Sequence, residues 1–440
     1  MRLKLLALLA AGLFSAAPAA AGGLADLLPL AREHDADYRA ARASLEQALT
    51  GRVIGKGQLL PTLSASFEYG NSEVGIDYLS GQLPIKYSAK SKTTSLNLSQ
   101  PVIDLAKWAS YKEEDARAAY AEIHFAEASV DIMVRLSRTY FDALLADDSL
   151  VLAVAQKEAL VAQRLEAENL FKGGMATITD IEETRARELQ AEAGLNEARY
   201  ALELRRGELV RIVGEHPADG LHPIGRFDTV LPDPDRLEPW VDAAMQANPK
   251  VLSAQKAVES SGFGAERARA GHYPVLNLIA NATRTRDPNY YTSLQDSSGV
   301  SLRLSIPLYQ GGRIGAAAEG AAAARGQAEA QLESTRREAR LKVTEAFLGI
   351  GNSAAKIRAL EQSLRSAETS LKGLHIGRQI GLRTNTDVLN GQQQVFSVRR
   401  DLQKERYNYL LARIQLKAYA GRLADDDLQD VDRIARQGGS

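Results

Sequence analysis

Four segments of the chain alternate apolar and polar residues, which is the period-two pattern of a β-strand with one apolar face. In the last of them, Val300, Leu302 and Leu304 are separated by Ser301 and Arg303. The same alternation predicts strands near 63–69, 95–99 and 276–283. Strands of about 10–12 residues can cross a bilayer when tilted, although a soluble hairpin with one wet face would show the same alternation.

Long segments without proline separate the strand pairs and carry apolar residues at near-heptad spacing. Residues 104–172 predict one helix of roughly 100 Å, and 178–213 predict a return helix of roughly 54 Å, at about 1.5 Å per residue. A helix over 240–271 adds roughly 48 Å by the same rise, so the two shorter helices together match the long one. An N-terminal helix over 24–58 is the corresponding partner in the other half of the chain.

The chain is a duplication. The segment 174–181 (GMATITDI) resembles 381–388 (GLRTNTDV) at an offset of 207 residues, and 95–101 (SLNLSQP) resembles 301–307 (SLRLSIP) at an offset of 206. Similarity at a long offset marks a repeated structural unit. Each unit is predicted to contain a helix, a strand pair and a long helical hairpin.

The duplication fixes the predicted domain boundaries. The first repeat covers 22–213, with a strand pair near 61–101 and a helical hairpin at 104–213. The second repeat covers 240–421, with a strand pair near 274–309 and a hairpin at 312–420 made of helices near 312–376 and 385–420. A proline-rich linker at 214–239 joins the repeats, and a segment at 422–440 follows them. The polar segments 71–91 and 284–298 are interpreted as loops that join each strand pair at the end away from the helices.

The N-terminus has the pattern of a secretory signal. Arg2 and Lys4 precede an apolar run over 5–14, and a run of three alanines ends at Ala21, where cleavage is expected. No later stretch approaches 18 uninterrupted apolar residues. The exported chain is therefore expected either to be soluble in an extracytoplasmic space or to insert as a β-barrel.

Composition removes several classes of function. The 54 basic and 55 acidic residues give a net charge of −1, which offers no bulk attraction for nucleic acid. No cysteine is present, and the six histidines are dispersed and form no metal-ligand pair. The acidic run 425–427 is interpreted as a solvated patch rather than a cation site, because no glycine turn or distal Glu accompanies it. We therefore expect no enzyme activity, no cofactor and no metal centre.

Strand count limits the assembly. Four strands per chain cannot close a membrane barrel, because the smallest has eight. Three chains would supply twelve strands and twelve helix columns, so a β-barrel and a helical coiled-coil cylinder could continue into each other. The predicted fold class is thus an α+β membrane protein with a twofold internal repeat, assembled as a homotrimer.

These motifs resemble the TolC-type outer-membrane channel family of Gram-negative bacteria. The resemblance rests on the paired glycine turns, the strand ends Gln100-Pro101 and 305–312 (SIPLYQGG), and the segment 406–410 (RYNYL). It implies a trimeric barrel in the outer membrane and a helical tunnel across the periplasm. It also implies a periplasmic adaptor protein and an inner-membrane partner, either an ABC exporter or a proton-driven pump. The segment 179–187 (TDIEETRAR) is similar to the type I secretion branch, although drug-efflux members share most of the pattern.

The resemblance also assigns the two glycine turns. Gly174, Met175, Gly381 and Leu382 correspond to the tips that dock the adaptor, with a helix C-cap as an additional or alternative role for the glycines. The residues that match the periplasmic gate are Thr179, Asp180, Glu183, Arg378, Arg383, Asp387 and Asn390.

Within this gate, Arg383 is expected to bridge to Thr179 or Asp180. Three copies of Asp387 around an axis would form an acidic ring that holds a cation. Arg378 stands where the family can place an aromatic latch, which puts that latch in doubt or replaces it with an ionic one. Asn390 is neutral where a second acidic ring can occur, so we hypothesise that Glu183 supplies that ring, with an ordinary exposed Glu183 as the alternative.

The predicted function is export of proteins or of small toxic molecules from inner-membrane transporters across the periplasm and outer membrane. The main alternative is an extracytoplasmic coiled-coil adhesin or structural protein without a channel. That alternative explains export and long helices, but it explains neither the strand pairs nor the duplication.

Overall fold

The computed structural model describes residues 23–76, 85–214, 221, 224–289 and 292–437. The predicted signal at 1–21, with its cleavage position, and part of the proline-rich linker lie outside these residues. Within them the helices are α1 (Leu24–His34), α2 (Ala36–Gly57), α3 (Leu105–Lys172), α4 (Ile178–Val213), α5 (Glu238–Ala247), α6 (Pro249–Ala270), α7 (Arg313–Gln379), α8 (Asn385–Tyr419) and α9 (Asp425–Gln437). The strands are β1 (Thr62–Ile76), β2 (Ile85–Ile103), β3 (Val275–Asn289) and β4 (Thr292–Ser305).

The helical hairpins follow the sequence prediction closely. Helix α3 has 68 residues and α7 has 67, and each is followed by a tight turn and a helix of 36 or 35 residues. No proline interrupts any of these four helices, so every residue beyond the first turn can contribute an N–H to the helical hydrogen bonds.

The predictions of single helices over 24–58 and 240–271 are wrong, because each is broken at one residue. Asp35 has an extended backbone, with ψ at 123°, and its carboxylate accepts the N–H of Tyr38 at 2.8 Å to start α2. Asn248 is extended in the same way, with ψ at 122°, and precedes Pro249, which disfavours helical geometry in the residue before it. The breaks lie 213 residues apart, so the duplication includes them.

The chain forms two compact units. One unit holds residues 41–126 and 249–338, which include all four described strands. Its strands form one antiparallel sheet in the order β1-β2-β3-β4. The central pairing of β2 with β3 joins the two repeats, and a register irregularity between Pro101 and Ile103 lies where proline supplies no N–H.

One face of this sheet is apolar in all four strands. The register places Leu63 opposite Leu98, Leu98 opposite Ala280, and Ala280 opposite Val300. The other face carries the Ser and Asn residues that the alternation predicted. Within the described part of the chain, no segment buries this apolar face: Phe67 is 70% exposed and Val300 is 74% exposed. A soluble sheet would bury this face, so the sheet requires an apolar environment or partner.

The predicted loops at 71–91 and 284–298 are largely strand. β1 continues to Ile76, β2 begins at Ile85, and β3 and β4 leave only 290–291 between them. The rest of the first predicted loop, 77–84, lies outside the described residues. Polar residues interrupt the apolar alternation, but the strands continue through them. The hydrogen bonds between strands join backbone groups, so they form equally well where both faces of the sheet carry polar side chains.

The second unit holds residues up to 40, 127–248 and from 339 onward. Its core combines the N-terminal helix with the middle of the two long hairpins. Among its most buried side chains are Leu24, Leu136, Tyr140, Val343 and Tyr409. The Tyr409 hydroxyl also holds the linker, since it donates to the carbonyl of Val230 at 2.6 Å and accepts the same residue's N–H at 2.7 Å.

Helix α9 was not predicted, and the interpretation of 425–427 as a solvated patch is wrong for Asp427, whose side chain is 15% exposed, whereas Asp425 and Asp426 are exposed. Asp425 forms two hydrogen bonds of 2.8 Å with the guanidinium of Arg32, and Asp427 binds Lys417. Further along α9, the buried Asp432 carboxylate accepts the N–H groups of Leu24 at 2.7 Å and Ala25 at 2.9 Å. The C-terminal helix therefore caps the first helix of the chain.

Helices long and apolar enough to cross a membrane are absent from the described part of the chain.

Candidate functional site

The two hairpin turns are built in the same way. Gly174 and Gly381 have φ values of +73° and +77°, a conformation that glycine adopts without strain. The residue after each glycine donates its N–H back across the turn: Met175 to Leu170 at 2.8 Å, and Leu382 to Gly377 at 2.8 Å. This is the Schellman arrangement, so the C-cap role of both glycines is real.

Each turn also presents an apolar side chain to solvent on the residue after its glycine, and the second turn exposes Ile380 as well. Met175 is 74% exposed and Leu382 is 75% exposed. A β-carbon added at Gly174 or Gly381 would meet no atom within 4 Å, so the surface beside each glycine is open. An exposed apolar residue next to open backbone is suited to a helical partner, although docking itself remains a prediction.

The two aspartates among the predicted gate residues, Asp180 and Asp387, are helix caps. Thr177 and Asp180 form a capping box at the start of α4, and Thr384 and Asp387 form one at the start of α8. In each box the threonine hydroxyl accepts the N–H of the aspartate at 3.2 Å. The aspartate carboxylate accepts the threonine N–H in return, at 2.8 Å in the first box and 3.0 Å in the second.

The second capping box also sets the charge of its carboxylate. The N–H and hydroxyl of Thr384 hold the pKa of Asp387 below its ordinary value, with a smaller contribution from the charge of Arg383. Asp387 is therefore ionised at neutral pH. It can carry the negative charge that an acidic ring requires while it also caps α8, but the ring itself stays a prediction.

Polar contacts join the two hairpins just above their turns. Arg378, at the end of α7, lies 2.5 Å from the carboxylate of Glu166 on α3 and donates to the side-chain oxygen of Asn385 at 3.1 Å. Asn385 donates onward to the buried Thr184 on α4 at 3.0 Å. Arg378 is thus the centre of a chain of contacts that runs through three helices and the start of a fourth.

Two further contacts extend this connection. The hydroxyl of Thr386 donates to Glu183 at 2.7 Å, and the guanidinium of Arg187 donates to the side-chain oxygen of Asn390 at 3.1 Å. We call this set the tip contacts; it comprises Glu166, Glu183, Thr184, Arg187, Arg378, Asn385, Thr386 and Asn390.

The structure brings together three of the seven predicted gate residues in the tip contacts: Glu183, Arg378 and Asn390. Glu183 is half-buried and hydrogen-bonded rather than a plain exposed residue. The expected bridge from Arg383 to Thr179 or Asp180 is not among the contacts of the described chain, where the Asp180 carboxylate is used by Thr177. Thr179 and Arg383 are exposed.

Five of the tip contacts were not predicted: Glu166, Thr184, Arg187, Asn385 and Thr386. Each of them has a partner more than 200 residues away in the chain, and no local motif marks them. The capping boxes, by contrast, were visible as Thr-x-x-Asp at 177–180 and 384–387.

Metal-binding clusters of His, Cys, Asp or Glu are absent among the described residues. Within the described residues Asp387 belongs to no such cluster, so the predicted cation site would use carboxylates from several chains.

The fold and the tips define a class: a duplicated helical-hairpin protein with an uncovered apolar sheet. The profile of the family described as "Outer membrane efflux protein" matches residues 27–215 and 240–422. The chain belongs to this family, which confirms the TolC-type resemblance, the α+β channel fold and the outer-membrane location.

Curated relatives extend over nearly the whole chain. The "Proteases secretion protein PrtF" of Dickeya chrysanthemi is 32% identical over 440 residues, with 98% of this chain and 95% of that protein covered. The "Alkaline protease secretion protein AprF" of Pseudomonas aeruginosa is 33% identical, with 93% and 86% covered. The "Outer membrane protein TolC" of Escherichia coli is 27% identical, with 91% and 80% covered. Two of these relatives are named for protease secretion and the third as an outer membrane protein.

Solved structures agree on the fold. The Campylobacter jejuni CmeC outer membrane channel superposes with a TM-score of 0.82 at 16% identity, covering 94% of this chain and 89% of that one. The Vibrio cholerae outer membrane protein VceC gives 0.79 at 20% identity, covering 90% and 96%. At these identities the likeness shows the fold alone.

Proposed function

We propose that three copies of the chain form a channel that carries cargo through the outer membrane. The observation that carries this proposal is the sheet: one face is apolar and exposed, and the outer strands β1 and β4 each have one edge unpaired among the described strands. Lipid would cover the apolar face, and neighbouring copies would pair the edges. Twelve strands from three chains are enough to close a barrel.

The cargo is proposed to be a secreted protein, delivered by type I secretion. Two relatives that match this chain from end to end are named for protease secretion. The inner-membrane partner would then be an ABC exporter, joined to the channel by a periplasmic adaptor. Export of small molecules with a proton-driven pump is the second candidate, favoured by the efflux family and the TolC relative. Neither the family nor these relatives support the adhesin alternative.

The hairpin tips are proposed as both gate and docking point. In this proposal the channel is closed while the tip contacts hold α3 and α4 against α7 and α8, and it opens when they separate. Arg378 acts as an ionic latch through Glu166. Asp387 and Glu183 supply negative charge near the mouth. The adaptor docks at Gly174, Met175, Gly381 and Leu382.

The cargo proposal can be tested in a strain that lacks its own channel. The chain is expressed together with an ABC exporter, its adaptor and a protease cargo, and protease in the medium is measured beside drug susceptibility. We expect secreted protease and little protection against drugs. Drug resistance without protease secretion would select the second candidate, and neither phenotype from correctly inserted trimers would contradict the channel.

A further inference from the structure

Basic residues gather on the sheet at the end remote from the helices. Lys90 and Lys92 lie on β2, and Arg284 and Arg286 lie on β3, all exposed. Lys86, nearer the start of β2, lies on the same face and is exposed as well. We call these five residues the basic row.

The basic row shares a face with the apolar side chains. The register pairs Leu96 with Ala282, Thr94 with Arg284 and Lys92 with Arg286, so these residues lie in successive rows of one face. From Leu276 to Arg286 is ten residues, or about 34 Å along the strand. For a strand tilted by about 40° that is about 25 Å across a membrane, which is the height of a typical lipid-facing band. The basic row therefore lies where lipid headgroups begin.

Among the described residues, only Arg284 of the basic row forms an ion pair, and Glu73 on β1 is the one other acidic residue that the register places beside the row on this face. Arg284 is paired with Asp296 through two hydrogen bonds of 2.7 and 3.0 Å. Lys92 and Arg286, in contrast, are directly opposite each other on neighbouring strands, and Lys92 is 5.8 Å from the ring centre of Tyr69. Like charges in register are destabilising unless an anion lies between them.

Assembly would leave this surface open. β2 and β3 are the inner strands of the sheet, so a neighbouring copy that pairs with β1 or β4 covers neither of them. The apolar side chains next to the basic row must contact lipid for the same reason.

We infer that the basic row binds the phosphate groups of the anionic glycolipid in the outer leaflet of the outer membrane. The inference rests on the proposed function, because it takes the strand ends away from the helices to face the exterior. Guanidinium and ammonium groups are the usual partners of phosphate, and two adjacent cations match a headgroup with two phosphates. The ring of Tyr69 lies at the boundary between acyl chains and headgroups, where aromatic residues are common.

The test compares the wild-type protein with the double variant Lys92→Gln/Arg286→Gln, which leaves the Arg284–Asp296 pair intact. Its control, Arg336→Gln/Arg340→Gln, removes two exposed cations from α7. Detergent-solubilised assemblies are titrated with bisphosphorylated lipid A, dephosphorylated lipid A or phosphatidylglycerol, and native mass spectrometry counts the bound lipids. The same spectra report the number of chains, and export is measured in parallel.

We expect the wild-type protein and the control to prefer bisphosphorylated lipid A, and the double variant to bind it about tenfold or more weakly at low ionic strength. Trimers and export should be unchanged in both variants. Equal binding of phosphorylated and dephosphorylated lipid A, equal binding of phosphatidylglycerol, or an unaffected double variant would overturn the inference. A wild-type protein without trimers or export would instead contradict the proposed function.

Discussion

Removing the charge of Arg378 should open the channel. Its side chain is only 14% exposed, whereas its partner Glu166 is 56% exposed. An exposed ion pair contributes about 0.2–1 kcal/mol, and breaking a fully buried one costs about 3–5 kcal/mol. This half-exposed pair should therefore be worth about 1–2 kcal/mol per chain, including the hydrogen bond to Asn385.

In a trimer this loss applies three times. If the chains contribute alike, Arg378→Gln removes about 3–6 kcal/mol from the closed state, which is a shift of roughly two to four decades in the closed-to-open equilibrium. Single-channel recording in planar bilayers should show a higher mean conductance or a much larger open fraction than the wild-type protein shows.

Two comparisons make this prediction specific. Glu166→Gln should have a similar effect, and the double variant should do little more than either single change, because the two side chains act through one contact. Lys157→Gln is the matched control, since Lys157 pairs with Glu192 inside one hairpin at 3.5 Å and joins no second hairpin. An unchanged conductance in intact Arg378→Gln trimers, or fully additive effects of the two single variants, would refute the latch.

Three further predictions follow from other parts of the chain. Burial alone would raise the pKa of Asp35, but hydrogen bonds from Arg135 and nearby N–H groups outweigh burial and hold that pKa below its ordinary value. Asp35→Asn should therefore lower the melting temperature at pH 7. Thermal denaturation at several pH values should show that this difference shrinks as the pH falls below about 4. Gly381→Val should abolish protease export while trimers persist, because a branched side chain at φ +77° distorts the tip; normal export would leave Gly381 with its cap role alone. Asp432→Ala leaves the N–H groups of Leu24 and Ala25 uncapped, and should cost about 1–2 kcal/mol in denaturant unfolding, whereas Asp430→Ala on the same helix should cost little.

Much of the fold could be predicted from the sequence because its strands and helices show short, regular repeats of apolar residues. Apolar alternation gave the strand faces correctly, and within the predicted strand 276–283 the structure places one apolar residue, Ile279, on the polar face opposite Ser301. Proline-free heptads gave the long hairpins to within a few residues. The strand ends could not be read in this way, because β1 and β2 continue past the apolar rows into polar residues, where alternation no longer reports burial.

One of the two helix breaks could have been predicted from the sequence, and the other could not. Asn248 could have been predicted from the proline that follows it. Asp35 has no such neighbour, and its extended backbone is explained only by its contacts: its carboxylate receives two hydrogen bonds, of 3.0 and 2.9 Å, from the guanidinium of Arg135, 100 residues away.

The candidate site also has one part that the local sequence predicts and another that depends on long-range contacts. The turns and caps depend on residues within five positions of each other, so the glycine spacing was enough to place the turns, and the Thr-x-x-Asp spacing could have placed the caps. The tip contacts depend on the register between two hairpins, which one sequence does not specify. That is why Arg378 was suspected as an ionic latch, but its partner Glu166 was not identified.

The central claim is that three copies of this chain close one channel in the outer membrane. Its most direct test is native mass spectrometry of the protein extracted from isolated outer membranes in mild detergent. The account predicts an assembly of three chains, recovered from the membrane fraction. A monomeric mass, or recovery of the protein wholly in the soluble periplasm, would contradict it.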